Sequence, residues 1–238
     1  MNTTLRQLIV NADDYGYSAE VSRGILECHL NGIVTSTSVM INMPAAEQAV
    51  ASALENAPKL GLGLHLNLVT GKPLSPQDRI PDLVDGDGRF LSRDHLLVKL
   101  GAIPVEQILI EFEAQYAAFQ RMVGHDPDHI DSHHHISYLH PNAARAMLNL
   151  LEDKPMPIRN PLKRWDEDVE GFLAKRLPEL YADQVVEWSL ALPRLLEDIP
   201  SPKRFVDRFY AGQTILGDLL NVLMDTKDGV SELMCHPG

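Results

Sequence analysis

Short apolar runs that end in a carboxylate or an imidazole recur along this chain, separated by segments with helical periodicity. Leu8-Ile9-Val10 leads into Asn11-Ala12-Asp13-Asp14-Tyr15-Gly16, and Gly61-Leu62-Gly63-Leu64 leads into His65-Leu66-Asn67-Leu68. An apolar/polar alternation runs into His129-Ile130-Asp131-Ser132-His133-His134-His135, and Val230-Ser231-Glu232-Leu233-Met234-Cys235 stops at His236. Repetition of strand and helix calls for parallel pairing with right-handed crossovers, which leaves an α/β barrel or a doubly wound sheet. Polar groups at the ends of four separate strands favour the barrel, whole or incomplete, because barrel enzymes build their sites where strand ends converge.

The intervening segments fit this rhythm. Ser18 is a good N-cap for a helix over 19–31 that Gly32 closes. A β-branched run at 33–42, an Ala-rich helix at 45–56 and a strand at 61–68 follow. Residues 70–92 hold Gly71, Pro73, Pro76, Pro81, Gly86 and Gly88 and read as a long loop of the kind that forms lids or binding surfaces. Helical spacing over 105–123, with Pro104 at its start, precedes the histidine-bearing strand, and 141–151 reads as another helix. Residues 157–161 end a short element; 162–210 read as two helices with a strand at 185–190, and 212–224 as a helix before a last strand at 230–236. No internal repeat or low-complexity linker divides the chain.

Four imidazoles and one carboxylate within seven residues, 129–135, offer several ligands for a divalent first-row metal from one segment. Asp13 and Asp14 sit where a buried strand bends, so both carboxylates can reach one cavity, and Ser18 relieves them of helix capping. On the strand at 61–68, Gly61, Gly63, His65 and Asn67 share a face of small residues that leaves room for something to bind. A net charge of −12 argues against nucleic acid and anionic membranes and suits a neutral or cationic substrate. Cys28 and Cys235 form neither a disulfide framework nor a zinc CxxC pattern. Without a signal-like apolar core near Met1 or a membrane-length apolar run, a cytoplasmic location is expected.

Together and in this order, Ile9 to Gly16, Gly32-Ile33-Val34-Thr35-Ser36-Thr37-Ser38, Gly63 to Leu68, His129 to His135 and Glu232-Leu233-Met234-Cys235-His236-Pro237-Gly238 resemble the YdjC-like family of carbohydrate deacetylases, which includes chitooligosaccharide deacetylases. The resemblance covers almost the whole chain and implies a TIM-barrel-like α/β fold. It also implies one divalent metal, magnesium or zinc, and hydrolysis of the acetamide of an N-acetylated sugar such as N-acetylglucosamine or a chitooligosaccharide. Carried over to this sequence, Asp14, His65 and His133 are the metal ligands, Asp13 the general base and His236 the general acid. Residues 1–238 are then one deacetylase domain that lacks a short further C-terminal segment, and a homodimer is compatible with it.

Ligand chemistry adds Asp131 behind a ligand imidazole, Arg159 beside Asp13 or the substrate, and His134, His135, His140 and Asn67 as further contacts. Trp165, Trp188, Tyr138 and Tyr181 are sugar-stacking candidates, against the commoner core role of aromatics. Two readings compete. One is a non-catalytic sugar-binding or regulatory module on the same fold; the other is a non-haem iron oxygenase using His129, Asp131 and His236, against which the helical periodicity speaks.

Overall fold

The computed structural model describes residues 5–164, 166–209 and 214–237. Six strands, β1 (Arg6–Tyr15), β2 (Ser36–Val39), β3 (Gly61–Leu66), β4 (Ile130–Ser132), β5 (Arg204–Val206) and β6 (Gly229–Cys235), form one parallel sheet in the order β4-β3-β2-β1-β6-β5. Between the edge strands β4 and β5, Ile158 bridges to Ile130 and Arg164 bridges to Phe205. The stretch from 157 to 164 thus stands in the seam where a regular barrel would carry another strand, and the architecture is an incomplete (β/α) barrel.

Among the described residues eight α-helices accompany the strands: α1 (Ala19–Leu30), α2 (Ala46–Asn56), α3 (Arg93–Lys99), α4 (Val105–Val123), α5 (Pro141–Glu152), α6 (Val169–Ala174), α7 (Ala182–Leu195) and α8 (Leu216–Met224). Ser18 caps α1 as its sequence suggests, its hydroxyl accepting from the Val21 amide, and the left-handed Gly124 stops α4. Along α4, Ile108, Phe112 and Phe119 recur on one face and are fully buried. Each large apolar side chain so buried contributes about 1.5–3 kcal/mol relative to leaving it exposed. No helix among the described residues is long and apolar enough to cross a membrane.

The barrel interior departs from an ordinary apolar core. Ser36 donates to Asn11 Oδ1 (2.7 Å), Asn11 Nδ2 donates to Ser38 Oγ (2.7 Å), and Ser38 donates to Asp131 Oδ2 (2.6 Å), all of them buried. This chain ties the inward faces of β1, β2 and β4 together, and every buried polar atom in it has a partner, the condition for tolerating polarity there. Gly63 on β3 is required by the same interior, since a Cβ there would lie 2.3 Å from the His129 ring.

Several expectations need correction. The 185–190 segment is not a strand but part of α7, whose Val185 and Leu192 face inward while Val186 and Leu190 stay exposed. β5 and α3 went unread; at three and seven residues they are too short to show a period. The histidine-bearing strand is only three residues long, and after it the chain kinks through His134 and His135 at left-handed backbone angles before a short turn ends at Tyr138. The 70–92 loop is anchored rather than loose: Glu111 of α4 accepts from the Leu74 and Ser75 amides, and Ile80, Leu83 and Phe90 are buried. The helix expected from Gly212 begins at Leu216; Gly212 itself lies outside the described residues, as does Trp165.

Candidate metal centre

Adjacent residues on a strand point to opposite faces, so two neighbouring carboxylates reach one cavity only if the backbone turns between them. That turn is visible in β1. Its pairing with β2 slips between Ala12 and Tyr15, and Asp14 adopts a left-handed φ of 72°. Gly16 follows at φ 88°, where a Cβ would also come within 2.9 Å of Ala46 Cα. Asp13 and Asp14 consequently line the same cavity of about 330 Å³, together with His65, His133, His134 and His236.

Asp14 Oδ1 lies 3.0 Å from His133 Nδ1 and 3.4 Å from His65 Nε2. This oxygen is buried and has no aligned hydrogen-bond partner. One oxygen and two ring nitrogens within 4.8 Å of one another, with the oxygen orphaned, suit a divalent cation better than they suit each other. On its far side His65 Nδ1 meets Asp131 Oδ1 at 2.6 Å; with Nδ1–H donated there, the Nε2 lone pair faces Asp14. Burial works against a charged Asp14, but the flanking His133 and His65 imidazoles outweigh it and hold this carboxyl well below the usual range.

Burial likewise opposes a charged His65, yet the Asp131 carboxylate prevails and pushes the imidazole up to about 10 in the cation-free protein. A folded value above the unfolded one (about 6.5) means that the charged imidazole adds stability fully present below that pH, which is lost as pH rises through the folded value. With a chelator present, the melting temperature is therefore expected to fall as pH rises from about 6.5 to about 10. His65→Gln should flatten that fall, and a level wild-type profile in thermal melts would contradict the assignment.

Asp13 is held differently. Its two oxygens are gripped by Arg159 Nη1 and Nη2 at 2.6 Å each, and Oδ1 also accepts from Asn11 Nδ2 at 2.9 Å. Arg159 is 1% exposed and far from the surface role common for arginines. Its Nη2 is 3.1 Å from Asp131 Oδ2, and its Nε donates to Glu232 Oε1 at 2.7 Å. Burial would discharge this guanidinium, but Asp13, Asp131 and Glu232 hold its pKa well above the ordinary value. Asp131 is pulled well below the carboxylate range, burial being overcome by Arg159 and His65, whereas burial raises Glu232 against the pull of Arg159. At the rim, His236 Nε2 is 4.0 Å from both Asp13 Oδ2 and Asp14 Oδ2.

The histidine triplet divides three ways. His133 faces Asp14, while His134 and His135 take left-handed φ values of 52° and 59°. With Asp14 they are the only non-glycine residues at positive φ among those described, and such backbone concentrates at functional sites. The His134 ring lies tilted by 45° to that of His133 at a centroid distance of 4.2 Å and lines the cavity; partial desolvation there and the neighbouring His133 and Arg93 charges lower it to about 4. His135 lies edge-on to Phe205, with Nδ1 unpartnered, and burial drives it well below the usual histidine value.

Other expected contacts are not brought to the cavity. Asn67 is consumed by its own turn, accepting from Val69 and Thr70 amides and donating to Thr70 O and Asn42 Oδ1. His140 caps α5 through Nδ1 and packs with Tyr181 and Trp188, and Tyr138 is fully buried. No ligand group among the described residues contains His129 or His236, and Asp131 is committed to His65, Ser38 and Arg159, so the iron-triad reading finds no support. Sequence reasoning missed Glu232, Asn11, Ser38 and the cavity-lining Arg93 and Arg176. Asn11 and Glu232 were signalled as polar residues beside apolar ones on buried strands, whereas Ser38 sits in the mostly polar Ser36-Thr37-Ser38-Val39.

A sequence model of the family described as YdjC-like protein matches residues 7–238. A carbohydrate deacetylase of Brevibacillus brevis is 39% identical over 233 residues, which are 97% of this chain and 81% of that protein. A chitooligosaccharide deacetylase of Proteus mirabilis is 40% identical over 154 residues, 64% of this chain and 58% of that protein. Among solved structures, a protein of Enterococcus faecalis V583 for which cellobiose-phosphate cleavage has been suggested superimposes with a TM-score of 0.77 at 29% identity, covering 98% of this chain and 81% of that one.

Proposed function

This chain belongs to the YdjC-like protein family, and from that premise we propose that it is a metal-dependent carbohydrate deacetylase. Its substrate is an N-acetylated sugar or short oligosaccharide of the N-acetylglucosamine or chitooligosaccharide type, met in the cytoplasm. The observation that carries the reading is the orphaned Asp14 Oδ1 facing His65 and His133, beside a second carboxylate that is fork-held by Arg159 and kept for other work. The excess of negative charge supports a neutral sugar over a nucleic acid as partner.

In this mechanism Asp14, His65 and His133 would hold one divalent ion, magnesium or zinc, whose chemistry when bound would be Lewis acidity toward the water and the acetyl carbonyl. Asp131 keeps His65 in the tautomer whose Nε2 lone pair is available. Asp13, pinned by Arg159 and Asn11, takes a proton from the attacking water as its oxygen bonds to the carbonyl carbon. His236 lines the cavity with its Nε2 4.0 Å from Asp13 and Asp14, suited to giving a proton to the nitrogen as the C–N bond breaks. Acetate and a free amine leave. His134, held neutral, presents an imidazole to the sugar.

Acetate release from a panel of N-acetylated mono-, di- and oligosaccharides, with magnesium or zinc added or chelated, tests this directly. Acetate and amine are expected in equal amounts, and only with metal. Absence of acetate from every sugar with metal supplied would count against the reading. Sugar binding without turnover would instead favour the non-catalytic module, which has no use for a fork-held carboxylate beside a ligand cluster.

A further inference from the structure

Arg159 reaches through the barrel interior to groups on three strands. Two of them, Asp13 and Asp131, meet its Nη edge, and only Glu232 meets its Nε–H. The Phe205 ring covers one face of the guanidinium, 5.3 Å from Cζ. A guanidinium is planar, so once the Nε–H direction and the plane are fixed, both Nη groups are fixed too. Without that constraint, two carboxylates within reach of one edge leave the fork free to divide between them.

We infer that Glu232 is a positioning residue that sets Asp13 through Arg159; the inference rests on Asp13 acting as the base. Pairing the guanidinium gives Glu232 no purpose that Asp13 does not already serve, even with Asp131 shared between Arg159 and His65, and burial works against a further carboxylate. Glu232 is 3% exposed, so it reaches the chemistry only through Arg159. Its own backbone is fixed from both sides, in register with Ile9 of β1 and Phe205 of β5. β6 thus carries the residue that aligns the base, and His236 follows directly at its end, at the cavity.

Three variants separate geometry from charge in the full chain loaded with zinc or magnesium, with turnover counted per metal-loaded site. Glu232→Gln keeps an oxygen at the same reach and is expected within about threefold of the wild-type kcat. Glu232→Asp keeps the charge but draws it back, and Glu232→Ala removes it. Both are expected to lose roughly 10- to 100-fold in kcat, the scale of a misplacement of about 1 Å. KM is expected to stay within about twofold and metal content to stay at the wild-type level, which a general loss of structure would not produce. A wild-type kcat in Glu232→Asp alongside a loss in Glu232→Gln would overturn the inference in favour of charge, and undiminished turnover in Glu232→Ala would overturn it by showing that neither the reach nor the charge of this side chain matters. A crystal structure of Glu232→Asp needs no substrate: an opened Asp13–Arg159 fork is expected, and an intact one refutes the inference. That arm decides the role of Glu232 even if no sugar is deacetylated by the wild type, an outcome that overturns the deacetylase reading alone.

Discussion

Asp14→Asn is expected to lose bound metal and acetate release together, with the fold intact. The backbone argument makes this substitution cleaner than most. Asp14 sits at φ 72°, a region asparagine enters as readily as aspartate, so the turn that brings the two carboxylates into one cavity survives. What changes is the ligand: a neutral amide oxygen replaces an anionic one at the point where two imidazoles converge. His65→Ala should behave the same way. Asp131→Asn provides the scale, since it leaves the ligands themselves in place and alters the partner behind His65, along with a contact of Ser38 and of Arg159, and such outer changes cost about 10- to 100-fold in metal affinity or activity. Asp14→Asn and His65→Ala should both exceed that. Metal analysis of the purified variants beside acetate assays checks the expectation, and wild-type metal content in either one would remove Asp14, His65 and His133 as the ligand set.

The barrel was legible because short apolar stretches, Leu8-Ile9-Val10 of β1, the leucines alternating along β3 and Leu233-Met234-Cys235 of β6, recur between segments of helical period. Where length or context dominates, the sequence misleads. Val185-Val186-Glu187-Trp188 has strand-forming composition, yet tertiary packing makes it a helix with one buried face. The site was legible as residue types at strand ends, not as geometry. That Asp13 and Asp14 share a cavity depends on one left-handed residue, and that only His133 of the triplet faces Asp14 depends on two more. Asn67 shows the opposite error, a polar strand-end residue spent on its own turn. Arg159 lies in Pro157-Ile158-Arg159-Asn160-Pro161, between two prolines, and carried no periodicity to mark it as buried, yet it organises three carboxylates.

Asp13→Asn is expected to keep the metal and lose roughly 10²- to 10⁴-fold in turnover, the range seen when a general base is removed. The separation from Asp14 follows from contacts. Both Asp13 oxygens are committed to Arg159, and one also to Asn11, so this carboxylate contributes nothing to the group that Asp14 forms with His65 and His133. Asparagine keeps one acceptor for Arg159 Nη2 and Asn11, but its amide would turn two hydrogens toward Arg159 Nη1, donor against donor. Stability should fall as well. Breaking a buried ion pair costs about 3–5 kcal/mol when the remaining charge is left alone, and less is expected here because Asp131 and Glu232 still hold Arg159. Turnover must therefore be expressed per folded, metal-loaded site, using metal content and a melting curve for each preparation. Loss of metal in Asp13→Asn with retention in Asp14→Asn would exchange the two roles. Near-normal turnover in Asp13→Asn would leave Arg159 and its three carboxylates as a structural clamp and move the search for the base to His236, the cavity residue within 4.0 Å of both aspartates.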